Sequence, residues 1–440
     1  MTYDVEAIRA DFPILTREVN GYPLTYLDSG NTSQKPRQVV EAMSNHLLAH
    51  NANVARAMHQ LGAESTAAFE GSREIVARFI GAAGPDEVVF TKNASEALNL
   101  AANTLGSRLV PGDEVVISVM EHHSNIVPWQ LACQRSGATL RWFDITEDGQ
   151  LDLDKARAEN LINERTRVVS LTWVSNVVGT VNPIAEIAGW ADQYGAVMVV
   201  DGAQGVPQRV TDVTALGVDM LAFTGHKLCG PTGIGVLWGR RELLAELPPF
   251  LGGGEMIEVV TMQGSTYAPP PARFEAGTPP IAQAIGLGAA INYLTAIGMQ
   301  NIADHEVALT RRTIDTLMGI DGVRVLGPTS PELDRGGAIA FVVDGVHPHD
   351  LMQMTDARGV AIRGGHHCAR PLHDRLGVQS SSRASVYLYT TEAEIDALAE
   401  ALVYARDFFA GTGRPSAART SYAERRAERA ARAAQSAGAK

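Results

Sequence analysis

The segment RGGHHCARPLH, residues 363–373, places one of the three cysteines of this chain directly after two histidines. His366, His367 and Cys368 are consecutive, whereas paired zinc ligands are usually about two to five residues apart. The sequence also lacks a second cluster of cysteine and histidine. The neighbouring arginines and histidines favour a thiolate, which is the nucleophilic form of cysteine. We therefore predict a reactive thiol at Cys368 and no metal site, in a loop that the preceding Gly-Gly pair makes mobile.

A single lysine stands in TGHKLCGPTGIG, residues 224–235, directly after an apolar run. Its small, mostly uncharged neighbours are compatible with a desolvated amine that forms an imine, although an ordinary loop lysine is an equally good interpretation of this segment alone. Asp201, in VVDGAQG, closes another apolar run. An aspartate there can be a helix cap or turn residue, or it can pair with the ring nitrogen of pyridoxal phosphate. Together, Lys227 and Asp201 predict a pyridoxal phosphate site.

The elements that must position these residues are short β-branched runs that alternate with helical patterns. The predicted strands are 87–91, 114–119, 139–143, 167–173, 196–203 and 219–225. Runs that are apolar on both faces and separated by helices indicate a mostly parallel sheet covered on both sides. Ligands of such sheets bind beyond the carboxyl ends of the strands. The predicted fold class is therefore α/β, with Asp201 and Lys227 at the ligand-binding edge.

A change of pattern near residue 290 predicts a division into domains. Loops rich in proline and glycine come before it, and predicted strands at 337–343, 359–365 and 382–389 follow it within a smaller α+β pattern. The expected division is a large cofactor-binding domain over 22–290, a small domain over 1–21 and 291–410, and a tail over 411–440. The tail carries a net charge of +5 against −17 for the rest of the chain and lacks large apolar residues, so we expect it to be mobile.

Composition indicates a protein of the reducing cytoplasm. Three cysteines among 440 residues are too few for a disulfide framework, and Cys133 and Cys229 are expected to be packing residues. The beginning, MTYDVEAIRADFPIL, does not read as a signal peptide, and no apolar run approaches the roughly 18 residues of a membrane span. With an acidic body, the chain is expected to bind neither membrane nor nucleic acid.

Eight motifs, in order over residues 10–410, resemble those of cysteine desulfurases of the SUF type, or group II, within the class-V aminotransferase family of pyridoxal phosphate enzymes. The motifs are ADFPIL, LDSGNTSQKP, EHHSNIVPWQ, VSNVVGT, DGAQ, TGHKLCGPTGIG, RFEAGTP and RGGHHCARPL, followed by SSRASVYLYTTEAEID. The short segment around Cys368 is similar to group II, whereas the other group has a longer serine-rich loop. The resemblance implies the fold-type I architecture, with a large and a smaller domain, and a homodimer.

The resemblance also implies catalytic and ring-binding residues. Lys227 would carry the cofactor and remove the α-proton of the substrate, Cys368 would be the nucleophile, and His122 would stack on the cofactor ring. Asp201 would pair with the pyridine nitrogen. The phenolic oxygen of the ring would be contacted by Asn176 and Gln204.

The remaining implied residues hold the phosphate and the substrate. The phosphate would lie against Ala94, Ser95, Thr224 and His226, and against Thr278 from the second subunit. ASEALN opens a helix after a strand, and the free N–H groups of a helix N-terminus suit an anion. The substrate would be bound by Arg383, Asn31 and Arg363. A planar guanidinium such as that of Arg383 suits the α-carboxylate.

Two segments depart from the family pattern near the expected substrate. Where the family reads D-[SN]-A-A-[TS]-S, residues 28–33 read DSGNTS, so that Asn31 replaces a small apolar residue. Where the family reads HRG-x-H, residues 55–59 read ARAMH, which loses a histidine and a glycine. Either the pocket of a general-purpose enzyme has drifted, or the pocket is adapted to a pathway-specific substrate.

The expected function is a pyridoxal-phosphate-dependent L-cysteine desulfurase. It would release L-alanine and leave a persulfide on Cys368, which a sulfur-acceptor protein of the SUF system would take up for iron–sulfur cluster assembly or thiolation. One alternative is a related lyase acting on selenocysteine, cysteine sulfinate or another β-substituted amino acid. The other is a non-catalytic scaffold, against which the presence of both Asp201 and Lys227 argues.

Overall fold

The computed structural model describes residues 3–55 and 58–411. The strands in chain order are β1 Glu18–Val19, β2 Tyr22–Pro23, β3 Thr25–Tyr26, β4 Val88–Thr91, β5 Glu114–Ser118, β6 Thr139–Phe143, β7 Thr166–Thr172, β8 Val197–Asp201, β9 Met220–Thr224, β10 Gly235–Gly239, β11 Ile257–Thr261, β12 Gly264–Tyr267, β13 Val323–Val325, β14 Ala338–Val343, β15 Val360–Ala361, β16 Arg363–Gly365 and β17 Ser381–Ser385. The helices are α1 Val5–Ala10, α2 Arg37–Asn45, α3 Gln60–Phe79, α4 Ala94–Gly106, α5 Val127–Ser136, α6 Leu153–Ala158, α7 Ile184–Asp192, α8 Gly205–Gln208, α9 Val213–Leu216, α10 Arg241–Glu246, α11 Ile281–Ile297, α12 Met299–Met318, α13 Pro348–Asp356, α14 Arg370–Arg375 and α15 Glu392–Phe409.

The largest sheet has seven strands in the order β4-β10-β9-β8-β7-β5-β6. β10 runs antiparallel to both of its neighbours, and the other pairings are parallel. Successive residues of β5 point to opposite faces, because Val115 and Ile117 pack in one apolar cluster and Val116 in another. The predicted α/β class with a mostly parallel sheet covered on both faces is confirmed.

A second sheet of four antiparallel strands, in the order β13-β14-β17-β16, forms the other layer that matters for the site. Its core is built with apolar residues of α12, α13 and α15. The predicted strand 382–389 ends earlier, at Ser385. The Gly364–Gly365 pair lies inside β16 and pairs with Ser382 and Ser381 of β17. The prediction that these glycines give a mobile loop is therefore wrong, because the sheet fixes them.

The predicted domain boundary at residue 290 falls inside helix α11, so the division into domains stays a prediction. In the part of the chain that the structure describes, no single helix is long and apolar enough to cross a membrane. Only α11 and α12 taken together would be, by length and composition, and they meet at a bend of 76°. Of the predicted tail, residues 412–440 lie outside the described residues.

The N-terminal segment is attached to the C-terminal part of the chain. The hydroxyl group of Tyr3 donates to the carbonyl oxygen of Leu388 at 2.6 Å. Arg9 donates to the carbonyl oxygen of Tyr389 at 2.5 Å and forms an ion pair with Glu394 at 2.8 Å. The first described residues therefore pack with residues about 380 positions later.

Candidate active site

The site lies at the carboxyl ends of the central parallel strands. Thr172 ends β7 and is paired in register with Asp201, which ends β8. β9 ends at Thr224, and a short helical turn, Gly225–Lys227, follows it. Parallel strands bring their carboxyl ends to one edge of the sheet, which is why residues far apart in sequence meet here.

The amine of Lys227 lies among groups of both charges. Burial is the largest effect on it and lowers the pKa of Lys227 to about 8. The carboxylate of Asp201 raises this pKa and the guanidinium of Arg383 lowers it, and Cys368 and Asp28 also act on the amine. Four groups from distant segments are thus assembled around one lysine.

Asp201 is buried, with its Oδ1 accepting the N–H of Ala203 at 2.9 Å. Burial raises the pKa of Asp201, and the N–H of Ala203 and the charge of Lys227 act in the opposite direction. A buried carboxylate close to an amine can form an ion pair with a protonated ring nitrogen. This is the role predicted for Asp201.

A second buried carboxyl group, that of Glu121, lies behind Asp201. It accepts hydrogen bonds from Ser118 Oγ at 2.5 Å, Asn125 Nδ2 at 2.7 Å and the N–H of Thr172 at 2.7 Å. Burial raises the pKa of Glu121 to about 8, and the charge of Asp201 adds to that rise. The group therefore joins the ends of β5 and β7 beneath the site.

His122 follows directly and faces the same cleft. Burial, followed by the charge of Lys227, lowers the pKa of His122 to about 3, so that the ring is neutral at pH 7. Its Nδ1 accepts the N–H of Ser124 at 3.1 Å. The proton of the neutral ring is therefore on Nε2.

An anion site lies at the N-terminus of α4. Asn93 caps this helix by accepting the N–H of Glu96 at 2.9 Å. The hydroxyl groups of Ser95 and Ser124 are 2.6 Å apart. The Oγ1 atom of Thr224 is buried and has no hydrogen-bond partner among the described residues. Free N–H groups, a helix dipole and unsatisfied hydroxyl groups together suit a phosphate.

β10 crosses close behind this helix N-terminus. A Cβ atom on Gly235 would lie 2.4 Å from the backbone of Asn93, so that only glycine permits the approach. His226, predicted to bind the phosphate, is half-buried, and burial lowers the pKa of His226 to about 4. A neutral imidazole donates a single hydrogen bond, which suits contact with an anion.

Two arginines from neighbouring strands of the small sheet share one carboxylate. Arg363 and Arg383 are paired in register between β16 and β17. Arg363 Nη2 lies 2.6 Å, and Arg383 Nη2 3.5 Å, from the oxygens of Asp28. Arg383 is buried, donates to the carbonyl oxygen of Asn176 at 2.8 Å, and has an Nε atom without a partner in the described part of the chain. Two cations with one anion leave a net positive charge that suits a carboxylate.

Cys368 is exposed, whereas Cys133 and Cys229 are buried. The cysteine lies between β16 and α14 and its charge acts on both Lys227 and Arg383. The thiol therefore faces the amine of Lys227 and the guanidinium of Arg383 while remaining open to solvent.

These residues fit pyridoxal phosphate. The amine of Lys227 would bond the aldehyde, Asp201 would hold the ring nitrogen, and the hydroxyl group of Thr224 would satisfy a phosphate oxygen. A model of the family described as "Aminotransferase class-V" matches residues 25–398. The chain belongs to the class-V aminotransferase family.

The chain is similar in sequence and in structure to known cysteine desulfurases. A probable cysteine desulfurase of Streptomyces coelicolor is 56% identical over 412 residues, which cover 92% of this chain and 98% of that protein. The apo structure of the cysteine desulfurase of Thermococcus onnurineus has a TM-score of 0.86 at 38% identity, and covers 92% of this chain and 98% of its own. The cysteine desulfurase CsdA of Escherichia coli, in an S-sulfonic acid form, has a TM-score of 0.85 at 36% identity, and covers 93% and 100%. The predicted fold-type I architecture is confirmed.

Several residues predicted from the family motifs have other contacts in this single chain. Asn176 Nδ2 donates to the carbonyl oxygen of His367, and Gln204 Nε2 donates to that of Gly30, both at 2.7 Å. Thr278 and Asn31 are exposed. Their predicted roles stay predictions, as does that of Ala94, the first residue of α4. Of the departing segment 55–59, residues 56 and 57 lie outside the described residues.

Three residues of the candidate site were not predicted from the sequence. Glu121 and Ser124 flank His122 within EHHSN, so the motif contained them, but only the fold shows that they contact Thr172 and Ser95. Asp28 opens the segment that was compared with the family. Asp28 is negatively charged, and Arg363 and Arg383 were predicted to bind substrate. An ion pair between Asp28 and these arginines could therefore have been predicted from the sequence.

Proposed function

We propose that this chain is a pyridoxal-phosphate-dependent L-cysteine desulfurase of the SUF type that transfers sulfur to Cys368. The observation that carries the proposal is the assembly around Lys227. The buried carboxylate of Asp201, the guanidinium of Arg383 and the exposed thiol of Cys368 all act on the charge of the partly buried Lys227 amine, and Cys368 also acts on Arg383. Each of these groups has a task in removing sulfur from an amino acid.

The chain's own residues divide the reaction between them. Arg383 binds the α-carboxylate of the substrate, and the neutral amine of Lys227 accepts the α-proton. Bound pyridoxal phosphate supplies an electron sink for the electron pair of the broken C–H bond. Asp201 would keep the ring nitrogen protonated, which maintains the electron sink.

Sulfur transfer then takes place at Cys368. The thiolate attacks the sulfur of L-cysteine, an S–S bond forms and the Cβ–S bond breaks. The carbon fragment takes up one proton at Cβ in place of the sulfur and one at Cα in place of the proton that Lys227 removed, and leaves as L-alanine, while Cys368 keeps a persulfide. Atoms and electrons balance without an added oxidant or reductant.

A groove outside Cys368 supports hand-over to a sulfur-acceptor protein. Its volume is about 600 Å³, and its lining includes His347, His349, His366, Arg370 and Asp374. Arg370 forms an ion pair with Asp374 at 3.6 Å, and the three imidazoles would donate hydrogen bonds to polar groups of the acceptor. The three thiols are unpaired, which supports a reducing compartment such as the cytoplasm.

Exposed apolar side chains support a homodimer. Met262 at the tip of the β11–β12 hairpin is 97% exposed, and Leu48 beyond α2 is 88% exposed. Val259, Val260 and Tyr267 of the same hairpin are also exposed. Apolar surface of this kind is commonly covered in an assembly. The exposed Thr278 would then reach the phosphate of a second subunit, and sedimentation velocity tests the stoichiometry.

The function is tested with protein loaded with pyridoxal phosphate. Wild-type protein and Lys227→Ala are compared for borohydride-stable cofactor attachment and for alanine formed from L-cysteine in the presence of a thiol acceptor. We expect the variant to lose both. Attachment that survives in Lys227→Ala would assign the anchor to another lysine.

The substrate is tested in the same assay with selenocysteine, cysteine sulfinate and L-cysteine in parallel. We expect L-cysteine to give alanine in step with a persulfide on Cys368. If another substrate gives free product and no persulfide forms on Cys368, the proposal is wrong. The chain would then be a lyase whose pocket is adapted to that substrate through Asn31 and the segment 55–59.

A further inference from the structure

The loop that carries Cys368 has four residues between the end of β16 at Gly365 and the beginning of α14 at Arg370. His367 and Cys368 have φ angles of 50° and 56°. These angles lie in the left-handed region, which residues with a side chain rarely adopt. Two successive such residues persist only where surrounding contacts determine the conformation.

Three hydrogen bonds join this loop to residues of the large-sheet side. Asn176 Nδ2 donates to the carbonyl oxygen of His367 at 2.7 Å. The N–H of His123 donates to the carbonyl oxygen of Cys368 at 2.7 Å. The N–H of Arg370 donates to Nε2 of the same histidine at 3.1 Å. One residue, His123, therefore holds the loop at the cysteine and again two residues beyond it.

The state of the His123 ring suits this contact. Burial, followed by the charge of His366, lowers the pKa of His123 and so favours a neutral ring. Because the N–H of Arg370 points to Nε2, the proton of the neutral ring is on Nδ1 and Nε2 accepts. The rings of His122 and His123 are 6.4 Å apart. Two consecutive residues thus face the two reacting parts of the site, His122 the Lys227 amine and His123 the cysteine loop.

We propose that His123 is a positioning residue for sulfur transfer, whose main-chain N–H and ring Nε2 hold the Cys368 loop in its left-handed conformation. The thiol is then presented to the site by a fixed turn, and handing on the sulfur requires the Arg370–His123 hydrogen bond to open. This inference rests on the proposed function, because it concerns how the thiol reaches the substrate.

The loop itself is tested by amide hydrogen exchange of the Arg370 N–H in the holoenzyme. His123→Ala and His123→Phe remove the acceptor, and the second of them keeps the ring volume. We expect exchange at least tenfold faster in both. His123→Gln, whose side-chain oxygen can accept, should stay within about threefold of wild type. His349→Ala is the control, because it removes an exposed imidazole whose ring contacts Gln353 of its own helix α13, and it should leave the Arg370 exchange unchanged.

The consequence for sulfur transfer is tested by alanine formation from L-cysteine. We expect the rate of the first turnover, in which each site forms one alanine before the persulfide is handed on, to fall at least tenfold in His123→Ala and His123→Phe while KM changes less than twofold, and His123→Gln to restore that rate. Unchanged exchange in the Ala and Phe variants, or faster exchange with an unchanged first-turnover rate, would overturn the inference. If wild-type protein forms no alanine while the exchange pattern holds, the proposed function fails and the role of His123 in fixing the loop stands.

Discussion

The ammonium group of Lys35 lies 2.8 Å from the carbonyl oxygen of His226, the residue directly before Lys227. The same oxygen accepts hydrogen bonds from Thr32 Oγ1 at 3.1 Å, and from the N–H and Oγ of Ser33 at 3.0 Å. Ser33 Oγ in turn accepts the N–H of Cys229 at 2.8 Å. The N-terminal segment thus fixes the lysine turn from both sides, and Lys35 is the only charged donor that contacts this oxygen among the described residues.

Lys35→Met should weaken retention of pyridoxal phosphate by about tenfold, because a hydrogen bond from a charged donor contributes about 1.5–3 kcal/mol and other donors remain on the same oxygen. The measurement is a fluorescence titration of cofactor-free protein with pyridoxal phosphate. Lys35→Arg, which keeps a charged donor, is the control and should bind within about threefold of wild type. Equal affinity in the Met variant would mean that the other donors suffice.

Covalent attachment of the cofactor should follow the neutral fraction of Lys227. A pKa of about 8 instead of 10.5 raises that fraction at pH 7 by a factor of roughly 300. The rate at which cofactor-free protein takes up pyridoxal phosphate should therefore rise with pH and level off above about pH 8. Asp201→Asn removes a charge that raises this pKa, so the midpoint should move to lower pH. Glu186→Gln, in an exposed ion pair with Arg157, should not move it.

Cys368→Ser should separate substrate binding from sulfur transfer. L-Cysteine should still change the visible spectrum of the holoenzyme, because Arg383 and Lys227 are intact, but alanine should be almost absent since no thiolate attacks the sulfur. Wild-type protein should release a burst of about one alanine per site, and mass spectrometry should find one added sulfur on Cys368. Cys133→Ser, at a buried thiol, should keep the burst. Alanine release at the wild-type rate from Cys368→Ser would favour the lyase.

Glu306→Gln should stabilise the protein at neutral pH. Both carboxyl oxygens of Glu306 are buried and lack partners within the described residues, and burial raises its pKa well above the ordinary value. The folded state therefore binds more protons than the unfolded state, and stability falls as pH rises above about 4.5. We expect the variant to gain about 1–3 kcal/mol at pH 8 and less at pH 5, from urea unfolding. Glu114→Gln is the contrasting variant, because burial is outweighed at Glu114 by its ion pairs with Arg141 and Arg165, which hold its pKa below the ordinary value, and it should destabilise.

Much of the large sheet could be predicted from sequence, because buried parallel strands are continuous apolar runs. The run EVVISV, residues 114–119, contains β5, and DMLAFTG contains β9. β10 was missed because GVLWG begins and ends with glycine and lies within a glycine-rich segment, where a loop is the ordinary interpretation. The β11–β12 hairpin was also missed, since its side chains are largely exposed and give no clean alternation.

Site residues could be predicted where a single residue in a distinctive segment performs the chemistry. They could not be predicted where a role depends on a contact between residues that are distant in sequence. Lys227, Asp201 and Cys368 stand in distinctive segments. Nothing in the sequence, however, indicates that Lys35 reaches the His226 carbonyl oxygen or that Arg370 donates to His123. These contacts join segments that are distant in sequence, so they depend on the folded arrangement and not on local spacing.

The attachment of Arg9 to Tyr389 and Glu394 bears on how the protein is made. At about 5–20 residues per second, roughly 20 to 80 s pass between synthesis of these two parts of the chain. During that time Arg9 lacks these two partners, although Asp11 can already bind Tyr293, and β3 also waits for β15. The large sheet can assemble from contacts nearer in sequence, but closing the arm onto the small sheet must follow late in translation. Ribosome-bound chains that stop before residue 389 should therefore leave residues 3–26 open to protease, whereas longer chains should protect them.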